Sequence, residues 1–501
     1  LSKNKNSYDK MLCIKQHKNR YIKMLIGLVS VYVFISLIIS LWAAQQVHSS
    51  RDFYTTDRQL PMLMVTAMMF AGWFGAETVL GIPATFMEEG VMGLISDPLG
   101  AAACLIIFGL FFAKKLYRLN LMTIGDFYRQ RYSRGIEVIT GIAIALSYLG
   151  WVSAQITALG MVLHILSNHL ISINEGIIIG TIVVALYTVV GGLWSIAITV
   201  SIHITVTVIA LTIIALMIGS ETGGLAPVWE YALINDAFKL PENPSPLLAL
   251  AMLTSFLTLA FGSIPQQDVF QRANAARTEQ IAMWSAIFGG LLYLAFTFLP
   301  LFIAYSANLI DPQLTASILS QDSEQLIPEL IKAHFPMSAQ ILFYGALTGV
   351  IMSTSASTLL APSLMLSENI FKGLFATPLT DRQLLLLTRS VILGFAVLVA
   401  FYAIWSRTQD TGLHAMVEAA YKVTLVVAFV PLVAGLFWSK ATTQGAWWSV
   451  VFGLLAWISM ELLHSDSPVG AQWWGLIAST LGMLIGSWYR PESILYADRT
   501  S

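Results

Sequence analysis

GWFGAETVLGIP (72–83) is an apolar stretch that cannot run as one straight helix. Glycines at 72, 75 and 81 and a proline at 83 interrupt it, and one acid, Glu77, stands in its middle. Proline removes a helix hydrogen bond and crowds the turn before it, and glycine weakens a helix interior. A second interrupted stretch, FGSIPQQ (261–267), lies in the other half of the chain. Each opens a group of five apolar runs. Paired interruptions in corresponding positions are the pattern of inverted repeats around a binding site at the membrane midplane.

The rest of the chain agrees with a membrane setting. A soluble chain of 501 residues would make about three domains by length, but 56% of residues are hydrophobic, 11% are charged and mean hydropathy is +0.73. Such a chain is a polytopic helical membrane protein, because the hydrocarbon core admits only segments that satisfy their own backbone. Apolar runs predict thirteen spans, near 24–46, 61–86, 90–113, 135–166, 171–189, 194–219, 247–265, 278–306, 337–371, 383–406, 413–437, 443–463 and 468–489. The organisation expected is a basic tail (1–23), an extra span (24–46), two five-helix halves (61–219 and 247–437), two extra helices (443–489) and a short tail (490–501). Hydrophilic connections at 220–246 and 307–336 occupy the same place in each half, and the second predicts a short amphipathic helix near Glu324 to His334. Cys13 and Cys104 make no disulfide framework, and the first apolar run lacks a small-residue cleavage site.

Lys and Arg set the orientation. With the N-terminus outside and the C-terminus in the cytoplasm, inner segments hold fifteen of them, from Arg51 to Arg499 and including Arg272, while outer loops hold Lys239, Lys332 and Arg407. That is the positive-inside pattern. The N-terminal tail opposes it, with Lys3, Lys5, Lys10, Lys15, Lys18, Arg20 and Lys23 before the first span. Since the chain opens on Leu1, with Met11 and Met24 following, translation is expected to start downstream. The partners expected are a bilayer and a small-molecule solute, not nucleic acid.

TGVIMSTSASTLLAPSLMLSENIFK (348–372) is apolar enough for a bilayer yet carries hydroxyls at 348, 353, 354, 355, 357, 358 and 363. Adjacent Ser353 and Thr354 can aim two oxygens to one side of a helix, and a hard cation such as sodium takes oxygen ligands. The same residues also suit hydroxyls that bond back to their own helix.

In order along the chain, RDFYTTDRQLP (51–61), GIPATF (81–86), GLFFAKKLYRLNLMTIGDFYRQRY (109–132), YTVVGGLWSIAIT (187–199), GSIPQQDVFQRANAA (262–276) and the serine-rich helix resemble the sodium:solute symporter family, nearest in look to its high-affinity choline transporters. The resemblance implies an all-α fold, the 5+5 inverted-repeat bundle of the leucine-transporter type, with sodium as the coupling ion. It places sodium between the first broken span and the serine-rich helix. The ligands it implies are the carbonyls of Ala71, Phe74 and Val350 and the hydroxyls of Ser353 and Thr354.

Departures from the family pattern are informative too. Where members with a second sodium keep an Asp and a further Ser, this chain has Val200 and Ala356, so one sodium per cycle is expected. Trp73 and Trp151 match two positions of the aromatic cage that choline transporters build by cation–π attraction, while Ala101 and Gln266 replace a Tyr and a Trp. Glu77 and Asp97 add buried acids, and ionisable groups inside a membrane mark function by default. A cationic, hydrogen-bonding solute would suit Trp73, Glu77, Asp97, Trp151 and Gln266. The bland readings are that either acid sits in a vestibule, that Trp73 is an interface anchor, that Lys422 pairs with Glu418 on a helix surface, and that His203 is packed and hydrogen-bonded.

The function expected is sodium-coupled import of a small organic solute by alternating access, in a bacterial inner membrane. The alternative is a membrane sensory module working with a separate signalling partner. HExxH, GxSxG and paired catalytic Asp motifs are absent, so no enzyme is expected.

Overall fold

Helices account for every named element of the structure, a computed structural model that describes residues 2–46, 49–241, 245–375, 377–409, 411–464 and 467–489, with side chains from residue 23 onward. The expected tail 490–501 lies outside the described residues. Several long helices start on side-chain caps that satisfy their free N–H groups. Capping boxes form at Thr123 with Asp126, Ser172 with Glu175, and Thr380 with Gln383.

Among the described residues, nine helices are long and apolar enough to cross a membrane, and ten if the bent pair Pro246–Gly262 and Gln267–Asn274 is one span. The thirteen runs read from sequence are still visible. Ile173–Thr222 is assigned as one helix but breaks at Gly192, whose φ of 56° only glycine adopts at ease. The stretch Glu77–Arg118 is likewise interrupted, at Gly90 and Asp97. Met62–Trp73 is too short to count alone, and Ala471–Tyr489 stands outside the nine. Helices also form where none was expected, at Leu225–Ile234 and Pro312–Leu319, while Leu326–His334 fills the place read as amphipathic.

Burial shows which helices form the centre. The most apolar window of the serine-rich helix, Met337–Leu374, is 94% buried, against 22% for both Lys23–Ala43 and Thr443–Leu463. Outward faces carry bare apolar side chains such as Leu216, Val397 and Phe401, as lipid solvent allows. The helices Thr443–Leu463 and Ala471–Tyr489 lie along each other so closely that a Cβ at Gly482 would stand 2.5 Å from the Trp448 carbonyl oxygen.

Both broken spans have a physical cause. The first stops at Trp73: Phe74 has ψ 78°, the Gly75 N–H turns to the Trp73 carbonyl, and the chain resumes as a π-helical turn at Glu77–Gly81. Gln155 Oε1 accepts the Ala76 N–H that the break leaves free, at 2.9 Å. The second bends by 44° between Gly262 and Gln267. The two spans are joined by backbone: Leu60 N–H donates to the Ala275 carbonyl and Arg277 N–H to the Leu60 carbonyl.

Arg272 corrects the charge count. It was placed among the inner loop charges, but it is 2% exposed in the bent span, paired with Asp268 at 2.8 Å. Its guanidinium fills the space beside Gly72, where any Cβ would collide with it. Four residues on a helix bring Asp268 and Arg272 to one face, and Tyr148 donates a further hydrogen bond to Asp268.

Candidate functional site

The first break frees the Ala71 carbonyl, whose normal helical donor, the Gly75 N–H, has turned away. Thr354 on the serine-rich helix takes that place, its hydroxyl donating to Ala71 O at 3.0 Å. Next to it Ser353 donates to Val350 O at 3.0 Å. Four of the five residues implied for sodium thus stand together where the two helices meet. Phe74 stands at the break itself: its ring is buried against Phe70 and Tyr293, and no described hydrogen bond joins its carbonyl to the hydroxyl pair. Neutral oxygens from two helices suit a hard monovalent cation.

Back-bonding accounts for most of the other hydroxyls. Ser355 donates to Ile351 O, Ser357 and Thr358 to Thr354 O, and Ser363 to Leu359 O. Of the described serine and threonine hydroxyls in 348–363, Thr354 is the one seen to donate to another helix. Ser357 in turn receives Arg272 at 3.1 Å, so a fixed cation lies within a turn of the hydroxyl pair. Val200 and Ala356 are both buried and supply no oxygen from their side chains. His203 Nδ1 donates to Gly349 O at 2.7 Å and its Nε2 lies 2.9 Å from Ser36 Oγ, which is the packed, hydrogen-bonded reading.

Above the break the rings gather. Trp73 lies 5.4 Å from Trp151 and 5.5 Å from Tyr421, with Tyr421 5.7 Å from Trp151, centroid to centroid. Tyr148 stacks on Trp151, and Tyr293 stands 6.3 Å from Trp73. Trp73 is therefore an inner residue, not an interface anchor. Trp73 Nε1 and Tyr421 Oη are buried without a hydrogen-bond partner among the described residues, a condition that buried polar groups rarely keep. Gln266 reaches the edge of this group through Ser147, one turn before Trp151, and makes no described hydrogen bond to Trp73.

The acids form the next layer. Tyr293 donates to Asp97 Oδ1 at 2.5 Å and lies 3.3 Å from the Thr78 hydroxyl, tying the acids to the rings. Glu77 and Asp97 are neighbouring acids, 3% and 1% exposed. His414 opens the helix Leu413–Thr424 and bridges Glu77 Oε1 and Ser96 Oγ, at 3.0 Å each. Glu324, from the 307–336 connection, accepts the Leu413 N–H at the start of that helix. Burial pushes the Glu324 carboxyl up to about 8. Glu418 meets Ser255 at 3.3 Å, and the expected Lys422 pair is not among the described ion pairs.

Tyr148, Tyr293, Tyr421 and His414 were not anticipated. Tyr421 adjoins Lys422 in a span where charge alone drew attention, and a tyrosine in the middle of an apolar run was the available signal.

The model of the sodium:solute symporter family matches residues 53–453. The chain belongs to the sodium:solute symporter family. It is 24% identical over 450 residues to the human high affinity choline transporter 1, covering 85% of this chain and 75% of that one. It is 25% identical over 472 residues to the sodium/proline symporter of Haemophilus influenzae, covering 87% and 88%. A solved Na+-coupled sialic acid symporter, substrate-bound and outward-open, superposes with a TM-score of 0.79 at 16% identity, over 94% of this chain and 99% of that one. The fold of this family member is accordingly the leucine-transporter-type inverted-repeat bundle, and the family is one of transporters. Those three relatives are named for three different solutes, so the solute here has to be argued from this symporter's own side chains.

Proposed function

We propose that this symporter imports a small organic cation together with one sodium ion, with its C-terminus in the cytoplasm of a bacterial cell. The observation that carries the reading is the closed group of Trp73, Trp151 and Tyr421 joined through Tyr293 to Glu77 and Asp97. Ring faces attract a cation, and two neighbouring carboxyls supply charge and acceptors for its N–H groups. Trp73 Nε1 and Tyr421 Oη are spare donors for an acceptor on the same solute. Gln266 bounds the site at its edge. Sodium would sit on Ser353, Thr354, Ala71 and Val350, with Phe74 as the fifth ligand; a cation there favours the approach of the first broken span to the serine-rich helix, and this is the coupling.

A thermal-shift screen against choline, betaine, polyamines, amino acids, sugars and urea, with and without sodium, tests both parts. Anything that binds the folded state alone raises the melting temperature. An organic cation should do so, and more strongly with sodium present. A sugar or neutral amino acid that stabilises where every cation fails would overturn the solute class; a shift indifferent to sodium would overturn the coupling.

A further inference from the structure

Glu77 and Asp97 lie side by side inside the bundle: Tyr293 reaches both Asp97 and Thr78, and His414 reaches both Glu77 and Ser96. An ionised carboxylate can only accept a hydrogen bond, so two neighbouring carboxyls can bond to each other only through a proton. Asp97 Oδ1 takes the Tyr293 hydroxyl, while Asp97 Oδ2 is fully buried and meets no hydrogen-bond donor among the described residues. The titratable groups facing the pair are Tyr293 from helix Glu279–Ile310, His414, Glu418 and Tyr421 from helix Leu413–Thr424, and Glu324 from the connection. Among the described residues no Lys or Arg is bonded to either carboxyl. Two bare negative charges in such a place are strongly disfavoured.

We propose that Glu77 and Asp97 bind one proton between them, and that His414 exchanges this proton with the solution on the side of the 307–336 connection. His414 is placed for the task. Its Nδ1 is 3.0 Å from Glu77 Oε1, and its side chain is 16% exposed where that of Glu77 is 3%. In the outward step the O–H bond of the carboxyl pair breaks and an N–H bond forms at Nδ1. The imidazolium then loses the proton on Nε2, leaving neutral His414 and a pair with two negative charges; the reverse steps reload it. The site is distinct from the sodium hydroxyls and gives the transporter a proton-dependent step whatever its solute.

Infrared spectroscopy of the full chain in lipid reads this without any solute, so its outcome is separate from that of the thermal-shift screen. At neutral pH the wild type should show a protonated-carboxyl stretch that vanishes in both Glu77→Gln and Asp97→Asn; Glu324→Gln identifies the band of that separate acid. His414→Gln should keep the band but slow its exchange in heavy water by roughly a hundredfold, the scale of a positioned acid–base group. Where a variant fails to fold, carboxyl-labelled aspartate and glutamate in the wild type replace it, and both labels must shift the band. A wild type without the band, a band lost or shifted through one residue alone, or unchanged exchange in His414→Gln overturns the proposal.

Discussion

Replacing Thr354 by valine keeps the bulk at that point of the serine-rich helix and removes the one hydroxyl that meets Ala71. A buried carbonyl left without its donor costs about 1–3 kcal/mol, and a cation at that place loses an oxygen. Thr354→Val is expected to raise the sodium concentration for half-maximal uptake about tenfold or more, and Thr354→Ser to restore it. Equal sodium dependence in Thr354→Val, Ser353→Ala and wild type would remove this assignment. Tyr421→Leu is expected to weaken solute binding at unchanged sodium affinity, because it deletes a ring and a donor but no sodium ligand; a changed sodium affinity with intact solute binding would reverse the roles. At this scale the sequence was a partial guide. Ser353, Thr354, Trp73, Trp151, Glu77 and Asp97 were legible, since hydroxyls, acids and indoles are conspicuous in apolar helices. Tyr421 and Tyr293 were not, because a tyrosine inside a span looks like ordinary packing until the fold brings it against a named residue.

The helix Leu413–Thr424 begins on Glu324, and this gives that element a pH dependence. The carboxyl is held up near 8 by burial, with Asp322 and Glu88 adding to the rise and the Leu413 N–H opposing it. Folded Glu324 therefore keeps a proton that the unfolded chain has lost above the ordinary carboxylate range. Its contribution to stability falls as pH rises from there to about 8 and is flat beyond. Melting temperatures of wild type should decline across that window, and Glu324→Gln should flatten the decline; identical slopes would show that other groups set it. The bent second span makes a different prediction. Arg272→Met strands Asp268 in the interior and should destabilise by about 3–5 kcal/mol, whereas Arg272→Met with Asp268→Leu should recover much of the loss. A double variant no more stable than the single one would count against an ion pair as the source. Both broken spans were visible from glycine and proline, but Arg272 was misplaced. Positive-inside counting treats every arginine near a span end as a loop charge, and only the packing of Gly72 against it shows otherwise.

For the whole molecule the expected count is one sodium per cycle. Val200 and Ala356 stand buried where a second site would need side-chain oxygens, so uptake should follow sodium hyperbolically. A Hill coefficient clearly above one at saturating solute would mean that a second site exists. The inverted-repeat architecture could be read in advance because it is written twice, as two interruptions at matching positions. The break in Ile173–Thr222 was legible too, because the apolar runs 171–189 and 194–219 part at the glycine pair where Gly192 turns the chain. The contact between Leu60 and Ala276 bears on how such a molecule works. It ties the entrance of the first broken span to the exit of the second through main-chain atoms, so a tilt of one is expected to pull on the other. Side-chain substitutions at Leu60 and Ala276 leave that linkage whole. Arg277→Pro deletes one of the two amide hydrogens that make it and is expected to slow transport while Leu60→Ala does not; equal rates in both would show that the linkage carries no motion.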